Sequence, residues 1–193
     1  MITGEADEAV LLRQIERALA AGIDFVQLRR KKQSAREIEL LVKRIIAISP
    51  DAGRRLLLND RLDLALEAGG VHLGAKGLPV AAVRRLAPSD FLIACSTHDR
   101  EEAVHAAREG ADFLVFGPVF ATPSKPGHPG VGLDVLSEVA SAVEIPVLAL
   151  GGMTPERLSS VAGAGAEGIA GISMFESGDS LRELVEKLDQ LKS

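Results

Sequence analysis

Residues 23–46, IDFVQLRRKKQSAREIELLVKRII, hold one complete strand-and-helix unit, and the repetition of this unit decides the fold. Ile23 to Leu28 is a short apolar run, as expected for a buried strand. Ser34 and Glu37 match the capping box that begins a helix, because Ser34 can cap the helix and Glu37 can reach back to the Ser34 amide. Apolar residues then recur at helical spacing, at Ile38, Leu41, Val42, Ile45 and Ile46. The stretch therefore predicts a strand followed by an amphipathic helix.

The same alternation continues along the rest of the chain. Apolar strands are predicted at residues 56–58, 70–73, 91–95, 112–116, 146–150 and 168–172, with helices between them. Helix starts are marked by Pro79, by Thr154-Pro155 and by a second capping box over Ser180–Glu183. Ile2-Thr3 is a very short further strand before the first helix. Because the strands are apolar on both faces, they indicate a parallel sheet that is covered by helices.

Eight β/α units predict a (β/α)8 TIM barrel with a short first strand. A doubly wound open sheet is the alternative, since it is built from the same units. The chain shows no linker and no shift in composition, so we expect a single barrel domain over residues 1–193. Its core must be built from Ala, Val, Ile and Leu, because the chain has no Trp, no Tyr and only 6 Phe.

Charge and cysteine content exclude several classes of protein. The net charge of -5 argues against general binding to nucleic acid or to an anionic membrane, so any anion site must be a local cluster of cations. Cys95 is the single cysteine, which excludes an internal disulfide, and its apolar strand favours a core position over a nucleophile. No apolar run is long enough to span a bilayer, and Met1 opens no signal-peptide pattern. We expect a soluble cytoplasmic protein, and the sequence leaves a monomer and a homo-oligomer both open.

Polar residues gather where the predicted strands end. In both candidate folds the chemistry lies at the carboxyl ends of the strands. These ends carry residues suited to binding anions, metals or substrates: Gln27, Arg29, Lys31, Asn59, Asp60, Ser96, Thr122, Ser124, Lys125, Gly151, Gly152 and Ser173. Each one alone is compatible with a helix cap or a solvated turn, but a cluster at one end of most strands predicts a site.

The chemistry of this cluster points to phosphorylated ligands. Its three cations, Arg29, Lys31 and Lys125, can neutralise a diphosphate. Asp60 can hold Mg²⁺ beside such an anion. The glycine pair at 151–152 and the amide at 173 resemble the phosphate site that barrels form after their last two strands. Two anion sites in one mouth predict two phosphorylated small-molecule substrates and a transferase with a diphosphate leaving group.

Several motifs in order resemble the thiamine phosphate synthase and thiazole tautomerase superfamily, whose fold is a (β/α)8 barrel. The motifs are QLRRK at 27–31, LNDR at 58–61, GVHLG at 70–74, GPVFATPSK at 117–125 and GGM at 151–153. The resemblance runs from about Phe25 to Ser173, and several ordered motifs are more specific than a single glycine loop. A synthase of this superfamily joins hydroxymethylpyrimidine diphosphate to thiazole phosphate, which gives thiamine phosphate and diphosphate.

The resemblance also implies roles for individual residues. The pyrimidine diphosphate would be held by residues 27–31, Asn59, Ser96 and Lys125, and the thiazole phosphate by residues 122–124, Gly152, Ile172 and Ser173. The implied catalytic group is Arg29, Lys31, Asn59, Ser96 and Lys125, and Gln27 and Gly151 complete the implied substrate contacts. Asp60 would be a ligand of Mg²⁺. The metal and the cations would stabilise the departing diphosphate, and the thiazole nitrogen would attack the pyrimidine cation, so no protein nucleophile is needed.

Departures from the superfamily pattern leave alternatives open. Gly77 stands where the synthases carry a second Mg²⁺ carboxylate, Lys76 lies beside it, and Arg30 replaces an acidic residue. One alternative is a metal-independent thiazole tautomerase acting on thiazole phosphate carboxylate, although Pro118 occupies the position of its characteristic His. His128 is then either a displaced base or a solvated loop residue. The other alternative is a non-catalytic phosphate-ligand binding homologue, against which the retained diphosphate-side cations argue.

Overall fold

Parallel strands and helices alternate along residues 1–49, 51–176 and 181–192, which the computed structural model describes. The strands are β1 (Val26–Leu28), β2 (Leu56–Asn59), β3 (Gly70–Leu73), β4 (Leu92–Thr97), β5 (Phe113–Phe116), β6 (Val147–Leu150) and β7 (Gly168–Ala170). The helices are α1 (Glu8–Ala20), α2 (Ala35–Ile46), α3 (Leu62–Ala65), α4 (Val80–Leu86), α5 (Arg100–Arg108), α6 (Gly132–Ala140), α7 (Leu158–Gly163), α8 (Ser173–Glu176) and α9 (Leu181–Lys192). None of these described helices has the length and apolar composition that a membrane crossing requires.

The N-terminal residues close the sheet into a barrel. The strands pair in parallel in the order β1 to β7. Ile2 forms a parallel bridge with Gln27 of β1, and its N–H donates to the carbonyl of Gly171, just after β7, at 2.8 Å. The (β/α)8 barrel is therefore confirmed, with the first strand reduced to one bridged residue. The doubly wound alternative is wrong, because its strand order would have to reverse within the sheet.

Two apolar cores lie on opposite faces of the sheet. The inner core lines the barrel lumen and comprises Ile2, Leu57, Ala94, Phe113, Val115 and Ala170. The outer core lies between the sheet and the helices and includes Leu11, Leu41, Leu58, Leu114 and Leu136. Because both faces of the strands are buried, the strands appear in the sequence as apolar runs without alternation.

The predicted helix starts are observed with one change. The capping box of α2 is present, with the Glu37 N–H donating to Ser34 Oγ and the Ser34 N–H donating to the Glu37 carboxylate. Pro79 precedes α4 directly. After β6 the chain first forms a 3-10 turn over Pro155–Arg157, and the Thr154 side chain makes no capping hydrogen bond there. The capping box predicted over Ser180–Glu183 begins outside the described residues.

The strand limits differ most at β1. The sequence predicts a strand from Ile23, but β1 begins at Val26. The Ile23 N–H donates to the Ala18 carbonyl at 3.0 Å, and Gly22 between them has a φ of 97°. Ile23 therefore belongs to the turn that follows α1, and it packs in the outer core instead of pairing in the sheet. By contrast, β3 has the limits that the sequence predicts, Gly70–Leu73.

We expect Gly70→Ala to destabilise the barrel. A Cβ atom at Gly70 would lie 2.2 Å from the carbonyl oxygen of Leu92 and 2.8 Å from Leu57 Cδ2. Overpacking of this kind lowers the free energy of unfolding by about 1–3 kcal/mol, which urea denaturation followed by circular dichroism would measure. Gly163→Ala is the matched control, because a Cβ atom there meets no atom within 4 Å. Equal stabilities of the two variants would contradict the close approach of β3 to β4.

Candidate active site

A chain of hydrogen bonds joins the carboxyl ends of β1 and β2 to the loop after β3. Gln27 Nε2 donates to Asn59 Oδ1 at 2.8 Å, and Asn59 Nδ2 donates to Asp60 Oδ2 at 2.9 Å. The N–H of Gly74 donates to Asp60 Oδ1 at 2.7 Å. Asp60 itself has a left-handed backbone with a φ of 54°, which is uncommon outside glycine. Three predicted site residues thus form one network whose negative end is the Asp60 carboxylate.

Gln27 keeps one buried acceptor without a partner. The residue is 5% exposed, and its Oε1 accepts no hydrogen bond from the described part of the chain. An unpaired buried polar atom costs about 1–3 kcal/mol. Gln27 pairs with Ile2, a residue of the lumen core, so its side chain faces the barrel interior. The oxygen is therefore suited to a ligand that brings an N–H or O–H donor into the lumen.

His72 and Ser96 form a second polar pair, on β3 and β4. Their Nε2 and Oγ atoms lie 2.8 Å apart. Burial lowers the pKa of His72 to about 4, and the Asp60 charge opposes this only in part. At neutral pH the ring is therefore uncharged, and its hydrogen bond fixes the position of the Ser96 hydroxyl. The sequence favours a hydrogen-bonded structural role for His72, and the contact with Ser96 agrees with that role. In the sheet, His72 pairs directly with Asn59.

The three predicted cations surround the same end of the barrel without partners. Arg29 is half-buried, and Lys31 and Lys125 are exposed. Within the described part of the chain, none of the three side chains forms an ion pair or a hydrogen bond. The Arg29 backbone is anchored, because its N–H donates to Thr3 Oγ1 at 2.9 Å. Unpaired cations concentrate positive potential at this mouth, although the net charge of the chain is negative.

Arg30 turns away from this group. Its side chain is 6% exposed, and its Nη1 lies 3.9 Å from the Glu5 carboxylate. Its Nη2 donates to the Ala6 carbonyl at 2.7 Å. Arg30 therefore ties the loop after β1 to the segment before α1. Arg30, which departs from the superfamily pattern, thus makes a structural contact. The side chains of Arg29 and Lys31 keep no partner among the described residues.

The loop after β5 carries Thr122, Ser124 and Lys125 on a turn. The Lys125 N–H donates to the Thr122 carbonyl at 3.0 Å, and the Ser124 N–H approaches Thr122 Oγ1 at 3.4 Å. Ser124 and Lys125 are exposed and Thr122 is half-buried. The turn presents two hydroxyls and one ammonium to solvent, as the sequence predicts.

The loops after β5 and β6 are tied together at their base. The Phe120 N–H donates to the Gly151 carbonyl at 3.2 Å. Gly151 and Gly152 have φ angles of 100° and 63°, and a Cβ atom at Gly152 would lie 2.6 Å from the Ala121 carbonyl oxygen. Both positions therefore require glycine. The N–H groups of Gly152 and Met153 donate to no group in the described residues, so they are available to an anion.

The last predicted contacts follow β7. Ile172 packs against the lumen core, and Ser173 begins α8 and is exposed. The short helical turn that the sequence predicts at Ser173 is confirmed. Because β7 is the neighbour of β6, both residues lie at the same end of the barrel as Gly152.

Gly77 lies against the Asp60 carboxylate. A Cβ atom at Gly77 would lie 2.7 Å from Asp60 Oδ1 and 3.0 Å from the Gly74 carbonyl oxygen. Asp60 thus occupies the space that the side chain of a second carboxylate residue at position 77 would need. Among the described residues, no group of three or more His, Cys, Asp or Glu side chains comes together. Asp60 is exposed, and each of its oxygens accepts one hydrogen bond and keeps a further lone pair. One such carboxylate fits Mg²⁺ that is held mainly by substrate phosphate oxygens.

The other titratable candidates have structural partners. His128 is exposed, and its Nδ1 accepts a hydrogen bond from the Gly130 N–H at 3.0 Å, which closes a loop turn. Pro118, at the position of the tautomerase His, is buried. Burial raises the pKa of the Cys95 thiol to about 11, so the thiol is protonated at neutral pH. This agrees with the core position that the sequence predicts for Cys95.

Cavities occur at both ends of the barrel. A cavity of about 730 Å³ runs through the lumen to the amino-terminal ends of the strands, and its wall includes Phe25 and Phe113. It reaches the polar network only at Gln27 and His72. A cavity of about 140 Å³ lies at the carboxyl ends, beside Lys31. We place the site at the carboxyl ends in spite of the smaller cavity, because the free cations and free amides lie there.

His72 should make stability depend on pH. Its pKa is about 4 in the folded state and 6.5 as the ordinary value, so the unfolded chain binds more protons between these values and stability falls as pH falls from 6.5 to 4. Without added divalent metal, we expect this group to contribute a loss of up to about 3 kcal/mol. Urea titrations at several pH values would show a shallower slope in His72→Gln. The exposed control His105→Gln should keep the wild-type slope, and an unchanged slope in His72→Gln would contradict the assignment.

The sequence and the fold of this chain are similar to those of several known proteins. The family model described as thiamine monophosphate synthase matches residues 1–175. The chain is 46% identical over 159 residues to the thiamine-phosphate synthase of Methanoculleus marisnigri, which covers 81% of this chain and 75% of that protein. It is 44% identical over 182 residues to the putative thiamine-phosphate synthase of Geobacter sulfurreducens, with 92% and 85% covered. The solved structure of thiamine phosphate pyrophosphorylase from Pyrococcus furiosus has a TM-score of 0.86 at 29% identity, over 100% of this chain and 95% of that chain.

Proposed function

The chain belongs to the thiamine monophosphate synthase family, and from that premise we propose that it condenses hydroxymethylpyrimidine diphosphate with thiazole phosphate. The products are thiamine phosphate and diphosphate. One observation carries the proposal: cations and backbone amides that have no partner among the described residues lie at the same end of one closed barrel. These groups form two anion subsites, as a reaction between two phosphorylated substrates requires. Relatives that are 44–46% identical and bear the synthase name support the same reading.

The first subsite takes the pyrimidine diphosphate. The side chains of Arg29, Lys31 and Lys125 have no competing carboxylate partner in the described chain, so they are free to bind phosphate oxygens. Asn59 and Ser96 line the mouth between these cations, each held by a neighbour at 2.8 Å. The unpaired buried oxygen of Gln27 accepts a donor from the pyrimidine ring. The ring is thus oriented below its own diphosphate.

The second subsite takes the thiazole phosphate. The free N–H groups of Gly152 and Met153 bind the phosphate, together with the hydroxyls of Thr122 and Ser124 from the adjoining loop. The start of α8 at Ser173 lies on the opposite side of the subsite, and Ile172 supplies apolar contact to the thiazole ring. Both phosphates are then bound at fixed positions, which brings the two reacting rings together.

The reaction breaks one bond and forms one bond. The carbon–oxygen bond between the pyrimidine methylene and the diphosphate breaks, and its electron pair leaves with the diphosphate. The lone pair of the thiazole nitrogen then forms the new carbon–nitrogen bond, so no protein nucleophile or proton transfer is required. The cations of the first subsite stabilise the negative charge that grows on the leaving group. Mg²⁺ held by Asp60 and the diphosphate would add to this stabilisation.

Nothing in the described residues favours the alternative functions. A tautomerase needs an acid/base group, but Pro118 carries none and His128 is exposed and engaged in a loop turn. A non-catalytic binder of one phosphate has no use for the three unpaired cations of the first subsite.

Synthesis of thiamine phosphate from the two substrates tests the proposal. We expect product with Mg²⁺ present and almost none in excess chelator. Asp60→Asn keeps the hydrogen-bond acceptor for Gly74 but removes the charge, so half-maximal rate should need at least about ten-fold more Mg²⁺, the usual scale for a weakened metal site. Asp90→Asn, in an exposed loop, should behave as wild type.

Two outcomes of this assay would overturn parts of the proposal. Full activity in chelator would show that the metal takes no part. Absence of thiamine phosphate under every metal condition, with interconversion of thiazole phosphate carboxylate isomers, would replace the synthase by the tautomerase.

We expect Lys125→Ala to reduce turnover far more than it weakens thiazole phosphate binding. Lys125 acts on the leaving diphosphate, where negative charge increases during bond breaking. Removing one such contact should raise the activation barrier by about 2–4 kcal/mol, as for an oxyanion-hole donor. Steady-state kinetics and thiazole phosphate titration would measure the two effects, with Lys187→Ala on α9 as the control. Equal losses in turnover and thiazole phosphate affinity would refute the assignment of Lys125 to the diphosphate.

A further inference from the structure

Arg157 connects the two loops that form the second subsite. It lies in the 3-10 turn after β6. Its Nη1 donates to the carbonyl of Gly152, and its guanidinium carbon lies 4.3 Å from the centre of the Phe120 ring. Phe120 lies in the loop after β5, two residues before Thr122, so the Arg157 side chain contacts both loops. Neither the sequence motifs nor the proposed chemistry assigns it a role.

We propose that Arg157 is a positioning residue for the thiazole phosphate subsite. By holding the Gly152 carbonyl, it sets the direction in which the next N–H, that of Met153, is presented to the phosphate. The inference rests on the proposed function only for the identity of the ligand.

The geometry of the peptide bond explains the effect. The Gly152–Met153 peptide is planar and trans, so its carbonyl and its N–H point in opposite directions. Fixing the carbonyl on Arg157 therefore directs the N–H to the side away from the guanidinium. Glycine has no side chain to restrict its backbone, and Gly151 and Gly152 follow one another. Without an external contact, this peptide would sample many orientations, and ordering it would cost binding free energy.

The Phe120 ring holds the guanidinium in place. A planar guanidinium stacks on an aromatic face and can donate in its own plane at the same time. Partial burial favours this arrangement, because Arg157 and Phe120 are both half-buried. The position of the phosphate-binding peptide thus depends on the loop after β5, although no residue of that loop bonds to the peptide itself.

Calorimetric titration with thiazole phosphate tests the inference. Arg157→Met keeps the length of the side chain but removes the donor, and we expect its Kd to rise about ten-fold, the scale of one lost hydrogen bond. Phe120→Leu removes only the aromatic face and should raise the Kd about three-fold. The double variant should lose less than the product of the single effects, because the two residues act through one contact. The KM for the pyrimidine diphosphate should stay unchanged in all three variants.

Two further variants keep the test decisive. Arg108→Met changes an exposed arginine at the end of α5 and should leave both substrates unaffected. Arg157→Lys keeps a cation and a donor but loses the planar stacking, so an intermediate Kd is expected. If circular dichroism shows that Arg157→Met does not fold, Arg157→Lys and Phe120→Leu carry the test.

Three outcomes would overturn the inference. Wild-type affinity in Arg157→Met would show that the contact does not order the peptide. Loss of affinity in Arg157→Met with no change in Phe120→Leu would indicate that Arg157 binds the phosphate directly by charge. Equal weakening of both substrates would indicate a general structural defect. Tight thiazole phosphate binding without synthase turnover would refute the proposed reaction and leave the role of Arg157 intact, because calorimetry reports on the subsite alone.

Discussion

The hydrogen bond from the Ile2 N–H to the Gly171 carbonyl is the contact on which the geometry of the site depends. It joins the segment beside β1 to the end of β7. In an open sheet β1 and β7 would be six strand spacings apart, about 29 Å at 4.8 Å each, whereas through Ile2 they are two spacings apart, about 10 Å. Arg29, which follows β1, and Ser173, which follows β7, are thereby brought to one mouth. Two subsites for phosphorylated ligands can then serve one reaction.

Burial of polar groups in the lumen costs free energy of folding, which the apolar cores must offset. Gln27, His72 and Ser96 lie on a sheet face that is otherwise filled by Ile2, Leu57 and other apolar side chains. Burial keeps His72 neutral, and the Gln27 oxygen has no partner among the described residues. An apolar residue at each position would satisfy packing at lower cost. In the proposed reaction this polar layer would bind the ligand, and the extensive outer core between sheet and helices offsets its cost.

Much of the fold and part of the site could be predicted from the sequence, and the failures have identifiable physical causes. Apolar runs and capping patterns report burial and helix starts directly, so β3 and α2 were predicted closely. The prediction that a strand begins at Ile23 was wrong, because an apolar residue just after a helix gives the same sequence pattern as one that begins a strand. For His72 the sequence favours a hydrogen-bonded structural residue, as observed, but a histidine inside a strand gives no signal of which partner it contacts. The orientation of Arg30 depends on Glu5 and Ala6, residues that the motif does not include. Cytoplasmic location and the Mg²⁺ cofactor remain predictions and the oligomeric state stays open, since none of them affects the packing of one chain.

Position 77 carries glycine in place of a second carboxylate, which is consistent with a metal site that the substrate completes. Two carboxylates held side by side repel one another, and without a metal one of them tends to take up a proton. With glycine at 77, the Asp60 carboxylate accepts hydrogen bonds from the Gly74 N–H and from the Asn59 side-chain amide. These two contacts fix the orientation of the carboxylate before any ligand arrives. In the proposed reaction, a bound Mg²⁺ would take its remaining oxygen ligands from the diphosphate. The affinity for the metal and the recognition of the leaving group would thus depend on the barrel and the substrate together.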